Sequence, residues 1–245
     1  MLKNSLKSIL EQIEEVISSI PEQERLAAFD ADGTLWPIDV GERFFQYQIH
    51  QKLVDLPEKP FEHYETLKRQ NPEEAYLWLA QVNEGQRLEQ VRAWAKEALG
   101  NLQDLPIFDF QREIIGCLKK YGVQVFVVTA SVKWAVEPAV ALFGLSPDHV
   151  VGVETKVQNG VVGREAAGPI TYKKGKVKGL LQKTNGKRPF FCAGNTMGDI
   201  DLLHEATHIR LAIGLARAQH KLYQTEQELQ KVAREQGWWC WPPFK

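Results

Sequence analysis

Two carboxylates, Asp30 and Asp32, stand two positions apart in LAAFDADGTLWP (residues 26–37), after an apolar run and just before a glycine. Like charges this close repel unless a cation or hydrogen-bond donors compensate them. Other polar groups follow other apolar runs in the same way. Thr129 and Ser131 come after VQVFVV, Asn195 and Asp199 come after PFFCAG, and Lys176 opens a helical pattern in TYKKGKVKGLL. Two carboxylates joined by a third are ligands for a hard divalent cation. Magnesium in particular keeps several waters and takes one or two carboxylates beside a phosphate. A hydroxyl and an ammonium are natural donors to phosphoryl oxygens. A pocket this acidic cannot admit a phosphate dianion unaided, so the metal and the lysine come as a set.

These groups must be positioned by the elements that precede them. The runs RLAAF, VQVFVV, HVVGV (149–153), PFFCA and IRLAI (209–213) are mostly separated by helical patterns. That alternation predicts an α/β fold, a doubly wound and mostly parallel sheet. In such sheets ligands bind beyond the carboxyl ends of the strands, where each polar group above is expected. Between the first two runs the rhythm breaks. Residues 37–105 show no strand pattern but helical segments near 40–55, 60–70, 72–83 and 86–99, punctuated by Pro57, Pro60, Pro72 and Gly85. About 65 residues are too many for one crossover helix. We therefore expect an inserted all-helical cap over 37–105, within an α/β core made of 1–36 and 106–245. Asn159-Gly160 between valine-containing runs predicts a hairpin, a short ribbon over 153–163. A last long helix is expected near 216–236, followed by a tail rich in tryptophan.

The bulk properties bound the alternatives. The 245 residues are 44% apolar and 25% charged, with a formal net charge of -1. No global basic field exists to recruit nucleic acid or an anionic membrane. No apolar run reaches the roughly 18 residues of a membrane span. Glu11, Glu14 and Glu15 interrupt the N-terminal apolar pattern, so it reads as an amphipathic helix and not a signal peptide. Cys117, Cys192 and Cys240 are odd in number and widely spaced, which fits reduced thiols in a cytoplasmic protein. An EF-hand beginning at Asp30 fails, because Leu35 and Gly41 occupy its obligatory glycine and glutamate positions. A Walker A loop at Gly186-Lys187 fails at Leu181.

DADGT (30–34), VVTAS (127–131), Lys176 and GNTMGD (194–199) together resemble, in order, the four motifs of the haloacid dehalogenase superfamily. The phosphoserine-phosphatase-like branch is the nearest likeness, over roughly residues 26 to 205. The resemblance implies a magnesium-dependent phosphomonoesterase with a Rossmann-like core. It implies Asp30 as nucleophile, forming an aspartyl-phosphate, and Asp32 as general acid and then general base. Thr129 and Lys176 would bind the phosphoryl group. Asp30, Asp199 and the backbone carbonyl of Asp32 would hold the metal. Asn195 departs from the pattern, since many members carry aspartate there; an amide can still bond the phosphate or a metal-bound water. Lys173 and Lys174 are the fallback candidates for the lysine. Asp201 reads as a solvated residue in the first turn of the next helix.

Specificity is expected in the cap. Asp39, nine positions after Asp30, stands where the related branch binds a substrate amine, and Glu42 lies close by. Arg87 is a candidate for a substrate carboxylate or phosphate. Ser131 either contacts substrate or caps a helix. Trp36, Phe44, Phe45 and Trp134 form either an aromatic cage for a quaternary ammonium or ordinary packing. The expected substrate is a small phosphate ester, possible amine-bearing types being phosphoserine- or phosphocholine-like. The expected assembly is a monomer or homodimer. A phosphotransferase using the same aspartyl-phosphate is the enzymatic alternative. A receiver-like signalling module is the alternative of another class.

Overall fold

The computed structural model describes residues 5–242, so residues 1–4 and 243–245 of the expected core lie outside the described residues. Along the chain the helices are α1 (Leu6–Ser19), α2 (Val40–Gln51), α3 (Pro60–Gln70), α4 (Pro72–Gln81), α5 (Leu88–Leu99), α6 (Asp109–Lys120), α7 (Lys133–Val140), α8 (Lys174–Lys183), α9 (Ile200–Glu205) and α10 (Tyr223–Glu235). The strands are β1 (Leu26–Phe29), β2 (Gln124–Val132), β3 (Val150–Val153), β4 (Thr155–Gln158), β5 (Val161–Ala166), β6 (Phe191–Gly194), β7 (Ile209–Ile213) and β8 (Trp239–Trp241). The six-stranded sheet runs β3-β2-β1-β6-β7-β8, and β4 pairs with β5 in a separate ribbon. The pairings β1–β2, β1–β6, β6–β7 and β7–β8 are all parallel. The expected doubly wound α/β sheet is therefore present.

The chain packs as two compact units. The first comprises residues up to Ile38, Pro106–Val128 and Leu180 onward; the second comprises Asp39–Leu105 and Thr129–Gly179. In the first unit, every residue of β1 and β6 is buried, as their uninterrupted apolar character requires of strands covered on both faces. Helix α1 starts where the Ser5 hydroxyl accepts from the Ser8 N–H, and it buries Ile9, Ile13, Val16 and Ile17 at helical spacing. The tryptophan-rich tail is not a loose end. Its segment Trp239–Trp241 adds β8 to the sheet edge, Leu211 pairing with Trp239, and the Trp241 ring stacks on Phe110 at 4.6 Å.

Two sequence expectations about element boundaries need correction. The last helix begins at Tyr223, not near 216; the Ala216 N–H bonds the Glu226 carboxylate at 2.7 Å from the stretch that precedes the helix. Strand β2 continues to Val132, so Thr129 and Ser131 lie within its last turn of pleat and not beyond it.

In the second unit, α3 and α4 each carry proline in the first turn, where a missing N–H costs nothing. Phe44, Phe45, Tyr64, Leu79 and Val91 share one core with Val132, Trp134, Val153 and Val162. The ribbon turn has positive φ at both Asn159 (52°) and Gly160 (76°), the conformation a two-residue hairpin demands. Residues 85–88 bond to this ribbon: Gly85 donates to the Val162 carbonyl and Leu88 to that of Gly160, both at 2.9 Å. Among the described residues, no helix is long and apolar enough to cross a membrane.

Candidate active site

In the first unit, β1 delivers Asp30 to the end of the sheet. The Asp30 N–H continues the ladder to the Ala193 carbonyl at 2.9 Å, and its side chain is 6% exposed. The chain then folds into a tight loop, with Gly33 donating to the Trp36 carbonyl at 2.8 Å and Leu35 to that of Ala31. Helix α6 supports the loop from outside. Phe108 donates to the Leu35 carbonyl and the Gln111 amide to that of Thr34, both at 2.9 Å.

This loop treats the two aspartates differently. The Thr34 hydroxyl donates to Asp30 Oδ2 at 2.9 Å, whereas the Trp36 indole donates to Asp32 Oδ1 at 2.7 Å. Asp32 is partly exposed and Asp30 is buried. A buried carboxylate bonded by a hydroxyl suits attack or cation binding. A more open carboxylate, held by an indole N–H, suits proton exchange.

The loop after β6 brings two more predicted residues to the same unit. Asp199 Oδ2 accepts from the N–H groups of Asn195 (3.1 Å) and Thr196 (3.0 Å) and from the Thr196 hydroxyl at 3.2 Å. Gly194 makes this fold possible, because a Cβ there would lie 2.5 Å from Asp199 Cβ. The Asn195 amide packs on Gly33, where a Cβ would fall 2.0 Å from Asn195 Nδ2. Asn195 also joins the two loops chemically. Its Oδ1 lies 3.3 Å from the Thr34 hydroxyl, and its Nδ2 donates to Glu226 Oε1 at 2.9 Å. Burial raises the Glu226 carboxyl above its ordinary value, opposed by the N–H of Ala216 and the Asn195 amide. Asp201 is partly exposed in the first turn of α9, as expected.

The residues expected to hold a cation, the Asp30 and Asp199 carboxylates and the Asp32 carbonyl, would present oxygen donors alone. Among the described residues, no cluster of three or more His, Cys, Asp and Glu side chains is placed to hold a metal ion. Two carboxylates and a carbonyl, completed by water, are the ligands magnesium accepts without a protein cage. The residues present therefore fit magnesium.

The second unit carries the remaining predicted residues. Thr129 is 1% exposed; its hydroxyl accepts from the Ser131 N–H at 3.1 Å, and its carbonyl accepts from the Thr171 hydroxyl. Ser131 does not cap α7, whose N-cap is Val132 with no side-chain bond. It lies against α2 instead: a Cβ on Gly41 would be 2.6 Å from Ser131 Oγ and 3.4 Å from Asp39 Oδ1. Lys176 is 3% exposed, while Lys173, Lys174 and Lys178 are exposed. Asp39 caps α2, accepting from the Glu42 N–H at 2.8 Å.

Sequence reasoning missed Lys68. Its ammonium pairs with Glu42 at 3.1 Å and sits 5.0 and 5.6 Å from the Tyr64 and Tyr76 rings. Burial works against this ammonium, but Tyr76, Tyr64 and Glu42 outweigh it and raise its pKa. Arg87 is exposed at the ribbon turn, with Nη1 3.5 Å from the Asn159 carbonyl. Trp36, Phe44, Phe45 and Trp134 are 0–2% exposed, so they are packing residues with no ring face open to form a cage. Trp36 and Glu226 were also missed as partners of the motifs. Nothing in their local sequence distinguishes them from an ordinary core aromatic and a surface helix acid.

The family model of haloacid dehalogenase-like hydrolases matches residues 27–204. A search of curated proteins finds no match. Among solved structures, a protein of unknown function from Bordetella pertussis Tohama I superimposes with a TM-score of 0.71 at 18% identity, over 88% of this chain and 97% of that one. A phospho-aspartyl intermediate analogue of phosphoserine phosphatase gives a TM-score of 0.54 at 18% identity, over 89% and 93%. Cytosolic 5'-nucleotidase IIIB bound to cytidine gives 0.59 at 15% identity, over 91% and 82%. These likenesses show a shared fold, and with a family match that takes in all four motifs this chain belongs to the haloacid dehalogenase-like hydrolases.

Proposed function

We propose that the protein is a magnesium-dependent phosphomonoester hydrolase working through an aspartyl-phosphate on Asp30. The observation that carries this reading is the unequal treatment of the two aspartates: Thr34 bonds Asp30 while Trp36 bonds Asp32. In the first step an Asp30 oxygen attacks phosphorus and the bond from phosphorus to the ester oxygen breaks. Asp32 gives its proton to the leaving alcohol. In the second step water attacks phosphorus, Asp32 takes its proton, and phosphate leaves Asp30. A carboxylate nucleophile thus divides one hard displacement into two easier ones. Asp30, Asp199 and the Asp32 carbonyl would hold the magnesium, which would supply positive charge to the phosphoryl oxygens.

Thr129 and Lys176 are assigned to those same oxygens. The burial of Lys176, alone among the four lysines of its segment, supports its selection over Lys173 and Lys174. Ser131 is assigned to the substrate side of the site, Asp39 to an amine on the leaving group and Arg87 to an anionic substituent; Asn195, also expected to meet substrate, instead has its amide taken up by Thr34 and Glu226. The insert over 37–105 is assigned to substrate selection. Phosphatases among the structural neighbours support the reaction class. The free thiols of Cys117, Cys192 and Cys240 support a reducing cytoplasmic location.

The test is release of phosphate from p-nitrophenyl phosphate by the purified chain with magnesium. Turnover is expected, and Asp30→Asn should abolish it. No turnover on this ester or on a wider phosphomonoester panel would reject the reading. Phosphoserine and phosphocholine belong in that panel, with Asp39→Ala run alongside. Selectivity unchanged in the variant would remove Asp39 as the residue that reads the amine.

A further inference from the structure

Glu226 lies on α10, outside all four motifs, and is 2% exposed. Both of its oxygens are used: Oε1 accepts from Asn195 Nδ2 at 2.9 Å, and Oε2 accepts from the Ala216 N–H at 2.7 Å. From Asn195 the contacts continue through Thr34 to Asp30. The whole series, Glu226–Asn195–Thr34–Asp30, is buried and lies within one unit. The neighbouring turn of α10 grips the same loop, as the Met197 N–H donates to the Thr225 hydroxyl at 3.0 Å.

A carboxylate accepts hydrogen bonds and cannot donate them, so it dictates how the Asn195 amide faces. Nδ2 must point to Glu226, and Oδ1 must then point to Thr34. With the amide turned over, Nδ2 would donate to the Thr34 oxygen and Oδ1 would oppose the Glu226 carboxylate. Thr34 would then give its proton wholly to Asp30 and draw charge from it. Gly33 keeps the amide flat against the loop, because any side chain there would collide with Nδ2.

We propose that Glu226 is a positioning residue for the nucleophile: by fixing the Asn195 amide, it keeps the Thr34 proton shared between Asp30 and Asn195, which leaves Asp30 the charge it needs to attack. The proposal rests on the reading of Asp30 as nucleophile. It also gives a physical account of Asn195, which stands where the family pattern often has aspartate. The negative charge absent from that position is present one hydrogen bond further out.

The test is a two-residue swap in the full-length protein: Glu226→Gln, Asn195→Asp and the double variant. Turnover of p-nitrophenyl phosphate with magnesium and melting without substrate are both measured. Asn195→Asp alone sets two buried carboxylates face to face, and should lower Tm by about 5 °C and kcat by at least tenfold, or roughly the loss typical of an outer-shell partner. Glu226→Gln alone should lower kcat by about tenfold with KM nearly unchanged. In the double variant, the introduced glutamine donates through its Nε2 to the introduced carboxylate, while its Oε1 still accepts from the Ala216 N–H. An acceptor again faces Thr34, so kcat and Tm should both recover to above the Asn195→Asp values.

Losses that multiply in kcat would overturn the proposal, as would Tm shifts that add. Rescue of Tm without rescue of kcat would make Glu226 a structural anchor only, and would overturn it equally. A wild-type protein inactive on every ester would instead reject the hydrolase reading, and with it the role of Asp30. The Tm cycle would still decide whether Glu226 and Asn195 are linked.

Discussion

The bond from the Trp36 indole to Asp32 Oδ1 leads to a prediction that separates proton transfer from attack. A hydrogen bond to a charged group contributes about 1.5–3 kcal/mol, so its loss is worth roughly one to two powers of ten in rate where it orients the reacting group. Trp36→Phe should therefore slow hydrolysis of alkyl phosphates, whose leaving oxygen needs a proton. It should slow p-nitrophenyl phosphate much less, since nitrophenolate leaves without one. Rates over esters of graded leaving-group pKa check this, and an equal loss across the series would sink it. Gly33 yields a second prediction at this scale. Its φ of 83° and the Asn195 amide filling the place of its side chain act together, so Gly33→Ala should cost more than the roughly 1–2 kcal/mol of left-handed strain alone. Chemical denaturation measures this directly. A loss below about 1 kcal/mol, the low side of that estimate, would mean that Asn195 moves aside freely. Gly33 stood out in sequence as the glycine that follows the two aspartates, but not as the floor of an amide from a segment far away in the chain.

Elements were legible where the pattern was long or the turn chemistry specific. Helices α3 and α4 start at the prolines that announced them, and the ribbon turns at Asn159-Gly160. Legibility failed where a tertiary bond overrides a local pattern. The helix expected from about residue 216 starts only at Tyr223, and the stretch before it is tied back to the helix by the Ala216 N–H bond to Glu226. Strand β8 is three residues long, lies between Trp238 and Pro242, and makes sense only as a partner for β7. A tie invisible in sequence also joins α5 to α7: Arg92 holds Glu137 with Nε at 2.6 Å and Nη2 at 2.9 Å. Glu137 is 4% exposed, whereas the Arg92 side chain is 45% exposed. Arg92→Ala would strand a buried carboxylate, and the arginine's exposure brings the expected cost down to about 2 kcal/mol. A Tm lowered by about 4–8 °C is expected. Replacing Glu137 by Leu in the same background should restore part of it, because the uncompensated charge is then gone. No change in Tm on losing Arg92 would show that water already satisfies Glu137.

At the scale of the whole molecule, the chain leaves the first unit after Ile38, returns at Pro106, leaves again after Val128 and returns at Leu180. The helical composition of 37–105 was plain in the sequence, but periodicity shows only that a helix has an apolar face, not what covers it. Phe44, Phe45, Leu79, Val91 and Ala95 from the helical block share a core with Val132, Trp134, Ala135, Val153 and Val162 from the later segment. The 85–88 loop is sewn to the β4–β5 ribbon by backbone hydrogen bonds. Residues 39–105 expressed alone would expose the faces that meet Trp134, Val153 and the ribbon. The four helices, 10 to 12 residues long, do not exceed the roughly 12–15 residues below which isolated helices are marginal. The excised segment should therefore show a collapsed amide spectrum and rapid hydrogen exchange, while the full chain protects the amides of α2, α4 and α5. A well-dispersed spectrum from 39–105 alone would overturn this, and would mean that the four helices close a core among themselves before the rest of the chain arrives.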